Sequence, residues 1–155
     1  MSADKTVQVA CFIVGTGEYA VDIMRIKEII NPIDITKVPR SPAFIEGIIE
    51  LRGAFLPVVD LRKRFDLPAT ELTRDSKYII VALEGRIVGL VADRVLEVAH
   101  IPLDTISDAP ELASSAQARF FSGVAKWDDR IVMLLDLDEV LSSVEKQQLL
   151  GMSPA

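Results

Sequence analysis

A single cysteine, Cys11, and a single histidine, His100, occur in the 155 residues. One cysteine leaves no internal disulfide and one histidine excludes a His-rich metal site, so the chain suits a reducing compartment and no zinc is expected. Aromatic residues are scarce at 6% although hydrophobic residues reach 50%; the apolar content is therefore Val, Ile, Leu and Ala, the residues of aliphatic strands. Apolar runs such as Tyr78 to Leu83 fall far short of the roughly 20 residues that span a bilayer. Basic residues are outnumbered, 17 Lys and Arg against 23 Asp and Glu. The resulting charge of −6 has the wrong sign for a protein that lives on phosphate backbones. Met1 to Thr6 has no apolar core behind a basic start, so a signal peptide is not expected and a soluble, cytoplasmic protein is. The length suits one domain or two small lobes with a shared core.

Alternation dominates what is present. Val7, Val9, Cys11 and Ile13 recur at period two, a Gly15-Thr16-Gly17 turn follows, and Tyr19, Val21 and Ile23 resume the period, which reads as a hairpin. Ile26 to Ile35 is a strand-rich, irregular stretch ended by Pro39 and Pro42. Ile45 to Leu51 and Phe55 to Val59 form a second strand pair around Arg52-Gly53, and Asp60 caps a short helix over Leu61 to Phe65. Lys77 to Leu83, Ile87 to Ala92 and Val95 to Ile101 read as a three-strand meander. Phe121 to Trp127 and Ile131 to Leu135 pair across Asp128-Asp129. Leu137 to Leu150 has the spacing of an amphipathic helix.

The two halves repeat. Phe44, Gly47, Asp60 and Leu61 lie over Phe120, Gly123, Asp136 and Leu137 at a separation of 76 (120 − 44). Arg25, Ile26, Glu28 and Ile29 lie over Arg94, Val95, Glu97 and Val98 at 69 (94 − 25). Matched Gly, Asp and Phe positions are not generic strand residues, so the repeat implies two similar β lobes of one ancestry.

Catalytic signatures are missing. Gly15-Thr16-Gly17-Glu18-Tyr19-Ala20 fits a loose dinucleotide fingerprint, but that motif needs a helix opening at its glycines, and the alternation beyond Gly17 predicts a strand. No nucleophile motif accompanies His100, which reads as a surface or strand-end residue. Cys11 lies in an apolar strand, where a buried, inert thiol is expected. Asp60 and Asp136 could form an acid pair, yet each opens a helical segment and N-capping explains both. No enzyme activity, metal, nucleotide or other cofactor is expected.

Two blocks carry a signature. Gly17-Glu18-Tyr19-Ala20-Val21-Asp22-Ile23 with Ile26-Lys27-Glu28-Ile29, and Pro42-Ala43-Phe44-Ile45-Glu46-Gly47 through Leu51-Arg52-Gly53 to Pro57-Val58-Val59-Asp60-Leu61-Arg62, resemble the CheW family of chemotaxis coupling proteins. The resemblance covers nearly the whole chain, including Val88-Gly89-Leu90-Val91 and Asp136-Leu137. It implies a mainly β fold of two intertwined five-stranded, SH3-like β-barrel lobes with short helices and a C-terminal amphipathic helix. It also implies one CheW-like domain over residues 1–155, with lobes at roughly 15–70 and 75–141 and the N-terminal strand and C-terminal helix packing across.

Members of that family are non-enzymatic adaptors. They join the cytoplasmic tip of chemoreceptors, the methyl-accepting chemotaxis proteins, to the regulatory domain of a CheA-like histidine kinase. The length leaves no room for a kinase or receiver domain, so the resemblance points to the free-standing adaptor, monomeric in isolation and an array member in the cell. By the same resemblance Ile26, Glu28, Arg52, Gly53, Val95 and Val98 form the receptor-binding groove, and Glu46 and Gly47 belong to the kinase-binding face. Glu46 and Glu50 depart from the residues common at those positions. Two other readings are a coupling protein of a motility or developmental array, and a small-ligand enzyme using the Gly15–Gly17 turn with His100.

Overall fold

The computed structural model describes residues 5–40, 45–65, 67–68, 71–83, 85–107 and 120–140. The expectations for Pro42 to Phe44 and for the helix beyond Val140 lie outside the described residues. The first hairpin forms as the alternation requires, from β1 (Thr6–Val14) and β2 (Gly17–Asp22), with Val14 opposite Gly17 across the two-residue Gly15-Thr16 turn. A 3₁₀ turn, Ile23–Arg25, leads to β3 (Ile26–Ile30). Next come β4 (Ile45–Leu51), β5 (Ala54–Asp60) and the single-turn helix α1 (Leu61–Arg64). The second half runs β6 (Lys77–Leu83), β7 (Arg86–Ala92), β8 (Arg94–Pro102), the two-residue β9 (Ile106–Ser107), β10 (Phe121–Trp127), β11 (Arg130–Leu135) and α2 (Leu137–Val140).

These strands make two sheets, ordered β8-β1-β2-β11-β10-β9 and β3-β6-β7-β5-β4. Each ring closes through the segment that follows its first strand. Beyond β3 the chain returns so that Thr36 bridges Ile48 of β4, and beyond β8 it returns as β9 against β10. Replacing each strand by its counterpart at 69 or 76 positions turns one order into the other. The expected strand-rich fold of two intertwined lobes is therefore observed, with β9 as a sixth strand in one sheet.

The predicted meander of Lys77 to Ile101 is not. β6 and β7 pair with each other in the five-stranded sheet, but β8 leaves them to pair with β1. Alternation specifies a strand and its buried face, not its partner, and at Asp93 the chain does not reverse: its N–H donates to Ile13 O at 2.9 Å and leads into the other sheet. Each half thus gives its first hairpin to the other half's lobe. The sheets exchange at Ile23–Arg25 and at Asp93, not at the 70–75 connector, and β1 lies within the six-stranded sheet between β8 and β2.

Three buried clusters follow from this exchange. One fills the six-stranded lobe around Cys11, Ala99, Ile101 and Val132. Another fills the five-stranded lobe around Ile49, Val58, Tyr78 and Ile80. The largest lies between the lobes and draws Phe12 and Tyr19 from one sheet, Val59 and Leu90 from the other, and Leu61 and Leu137 from the helices. The scarce aromatics gather at this seam: Tyr19 lies 5.1 Å from Phe65, which lies 5.9 Å from Phe120 and 5.5 Å from Phe121. Arg64 Nε donates to Val140 O at 2.7 Å and so joins α1 to α2.

Candidate functional site

The β4–β5 hairpin closes with Leu51 opposite Ala54, leaving Arg52 and Gly53 as a two-residue turn. Their φ values of 52° and 83° are those of a type I′ turn, which suits the right-handed twist of the strands it joins. Gly53 is at ease there, whereas Arg52 carries a Cβ in the left-handed region. On β3 a bulge leaves Lys27 unpaired between Ile26, opposite Val81, and Glu28, opposite Ile80, and bulges re-aim the side chains beside them. Turn and bulge bring Arg52 and Glu28 together. Arg52 Nη2 donates to Glu28 Oε1 at 2.9 Å, and Nη1 donates to Oε2, a fork of two parallel bonds. The Arg52 side chain is 72% exposed and that of Glu28 28%. The Arg52 hydrogen bonds hold the Glu28 carboxyl below the usual glutamate range, so the pair is fully charged at neutral pH and is lost only as pH falls through that lowered value.

The other expected groove residues divide between the sheets. Ile26, at the start of β3, and Val95, near the start of β8, both pack against the cluster between the lobes. Val98 stands on β8 with 51% of its surface exposed. The structure thus brings Glu28, Arg52 and Gly53 together on one lobe, while Ile26 and Val95 meet at the core cluster between the lobes. Beside Val98, Glu97 receives a hydrogen bond from Arg130 Nη2, so the six-stranded lobe carries its own Arg–Glu pair. Sequence reasoning missed this pair: the separation of 76 leads from Arg52 to Asp128, and the arginine sits two positions further on. It also missed Ile29, the exposed counterpart of Val98, although the separation of 69 pairs them, and Phe55, which is 54% exposed within an otherwise ordinary alternation.

Arg130 has a second acidic neighbour, with Nε 3.6 Å from Glu18 Oε1. Burial raises the pKa of Glu18 against the opposing effect of Arg130. Below them Cys11 is pushed up to about 11, first by burial and then by Glu18 and Glu97, so its thiol stays protonated and inert at neutral pH.

On the face assigned to the kinase, Glu46 pairs with Lys63 of α1 at 2.5 Å. Gly47 is buried at a bulge with φ 150°. A Cβ there would run into Ile35 Cγ2 and Thr36 O, the segment that closes the ring. At Gly123, its counterpart, a Cβ would lie 2.8 Å from Ile106 Cγ2 and from Ser107 O. Both glycines therefore serve ring closure.

The remaining sequence candidates fall where local chemistry puts them. Asp60 Oδ1 accepts from Arg62 N at 2.9 Å and Asp136 Oδ1 from Asp138 N at 3.1 Å, so both aspartates are N-caps. His100 is exposed on β8 opposite Gln8. Gly15 lies in a hairpin turn, and β2 begins at Gly17, where a dinucleotide site needs a helix. Among the described residues no three His, Cys, Asp or Glu side chains are grouped to hold a metal ion.

Comparison with known proteins is consistent across sequence and structure. The family model of the CheW-like domain matches residues 8–145. The Chemotaxis protein CheW of Helicobacter pylori is 35% identical over 89% of this chain and 83% of its own length. That of Rhizobium meliloti is 34% identical over 90% of both chains. Protein FrzA of Myxococcus xanthus is 28% identical over 88% of this chain and 86% of its own. The crystal structure of the scaffolding protein TtCheW from Thermoanaerobacter tengcongensis superposes with a TM-score of 0.83 at 34% identity, covering 90% of this chain and 95% of that one.

Proposed function

From the premise that the chain belongs to the CheW family, we propose that it is a non-enzymatic coupling protein. One surface grips the helical hairpin at the cytoplasmic tip of a chemoreceptor and another holds the regulatory domain of a CheA-like histidine kinase. The observation that carries this reading is the Glu28–Arg52 fork. Its arginine occupies a backbone conformation that Asn or Gly would adopt with less strain, and its guanidinium faces solvent. Strain at an exposed polar group marks a residue kept for contact rather than for folding. Ile26, Val95 and Val98 supply the apolar part of the same groove, and Glu46 with Lys63 the polar part of the kinase face. Buried Gly47 contributes shape and no direct contact. No helix among the described residues is long and apolar enough to cross a membrane.

The experiment is a pair of pull-downs on Glu28→Ala and Arg52→His, one with a receptor hairpin fragment and one with the kinase regulatory domain. Receptor capture falls, kinase capture survives and the melting temperature barely moves, because an exposed pair contributes little to stability. Equal loss of both captures contradicts two separate faces, and undiminished receptor capture removes Glu28 and Arg52 from the groove.

A further inference from the structure

The chain passes between the lobes at two short crossovers, and each is tied to a helix by an ion pair. Asp93, which leads into β8, lies 3.5 Å from Arg62 Nη1 of α1 and accepts from Gly15 N at 2.7 Å. Arg62 is itself held by Asp60, with Nε to Oδ1 at 3.0 Å and Nη2 to Oδ2 at 3.1 Å. Arg25, which leads into β3, reaches Asp138 Oδ1 of α2 at 3.1 Å and donates through Nε to Ala82 O at 3.0 Å. The two arrangements correspond in part, although at 69 positions Arg25 lies over Arg94 and Asp93 over Met24. Arg62 and Asp138 are 76 positions apart, and Ile13, whose carbonyl accepts from Asp93 N, is 69 positions from Ala82.

Two features differ between them. The charges are inverted, with the arginine on the helix in one and on the crossover in the other. Burial differs too: the side chains of Arg62 and Asp93 are 6% and 25% exposed, with Asp60 beside them at 1%, and those of Arg25 and Asp138 are 32% and 52% exposed. Arg62 is buried and held twice by Asp60, so it stays in place to face Asp93, whereas the exposed Arg25–Asp138 pair opens readily and is screened by salt.

We propose that Asp138 is a positioning residue for the groove: with Arg25 it forms a solvent-facing clamp that fixes the direction of β3 relative to β8, working against a permanent hinge at Asp60–Arg62–Asp93. β3 begins immediately after Arg25 and β8 immediately after Asp93, so rotation at the clamp moves Ile26 and Glu28 relative to Val95 and Val98. The clamp stands on geometry alone; its bearing on receptor capture rests on the function proposed above.

The test places spin labels at Lys27→Cys on β3 and His100→Cys on β8, both exposed, in a full-length Cys11→Ala background. The distance between them is read by pulsed dipolar spectroscopy. Asp138→Asn broadens the distribution, as does 1 M salt in the labelled parent, while Asp138→Glu restores the narrow one with the melting temperature nearly constant throughout. Affinity for a receptor hairpin fragment falls about fivefold in Asp138→Asn and recovers in Asp138→Glu. A distribution as narrow in Asp138→Asn as in the parent overturns the clamp. Broadening without any change in affinity overturns its positioning role. A parent chain that captures no receptor fragment refutes the proposed function instead, and the distances still decide the clamp.

Discussion

Cys11 shows how position decides chemistry at the scale of one residue. Its thiol is buried and its pKa raised to about 11, so the reactive thiolate is scarce at neutral pH. Ellman's reagent at pH 8 is expected to leave the native protein unmodified over an hour and to titrate one thiol at once in guanidinium; rapid native labelling contradicts the burial. Gly47 makes the opposite case, a residue assigned to a partner that the structure gives to the fold. Gly47→Ala forces a methyl group into Ile35 and Thr36 at a positive φ. Overpacking and left-handed strain together cost about 2–5 kcal/mol. Receptor and kinase capture should then fall together, in step with the loss of folded protein seen by urea titration. A Gly47→Ala chain of parental stability that loses only kinase capture restores Gly47 to a binding role.

Among the elements, hairpins were legible in the sequence and sheet partners were not. Gly15-Thr16, Arg52-Gly53 and Asp128-Asp129 each turn where the breaks in alternation place them, and Asp60 and Asp136 cap as expected. Short-range chemistry decides those features, so reading residues in order recovers them. The pairing of β8 with β1 depends instead on Asp93 finding Ile13 and Gly15, a contact that spans the repeat and leaves no mark on alternation. The same limit applies to the proposed site: family likeness points to Glu28 and Arg52, but not to the Glu97–Arg130 pair, whose arginine is shifted by two positions. The β10–β11 turn carries an unused margin, since Asp128 and Asp129 hold φ of 50° and 61° where Asn-Gly is preferred. Asp128→Asn with Asp129→Gly is expected to raise stability by about 1 kcal/mol, read as a later urea midpoint with an unchanged slope. An earlier midpoint means that the aspartates make contacts worth more than the strain.

For the molecule as a whole, exchanged hairpins make the connector between the halves dispensable once folding is complete. Each sheet takes strands from both halves, and the cluster between the lobes takes side chains from both sheets and both helices, so the halves are held by pairing and packing rather than by the covalent link. Among the connector's described residues the bonds are local: Thr73 N donates to Ser76 Oγ at 2.8 Å and Ser76 N to Thr73 O at 3.1 Å. A protease site inserted beside Glu71, upstream of that turn, should be cut cleanly, and the two fragments should then co-elute with the circular dichroism of the intact protein. After denaturation of the nicked protein, refolding should slow on dilution. Closing the sheets has become bimolecular, and the connector no longer supplies an effective concentration. Fragments that separate under native conditions would mean that the lobes are organised along the halves of the chain, contrary to the observed strand order.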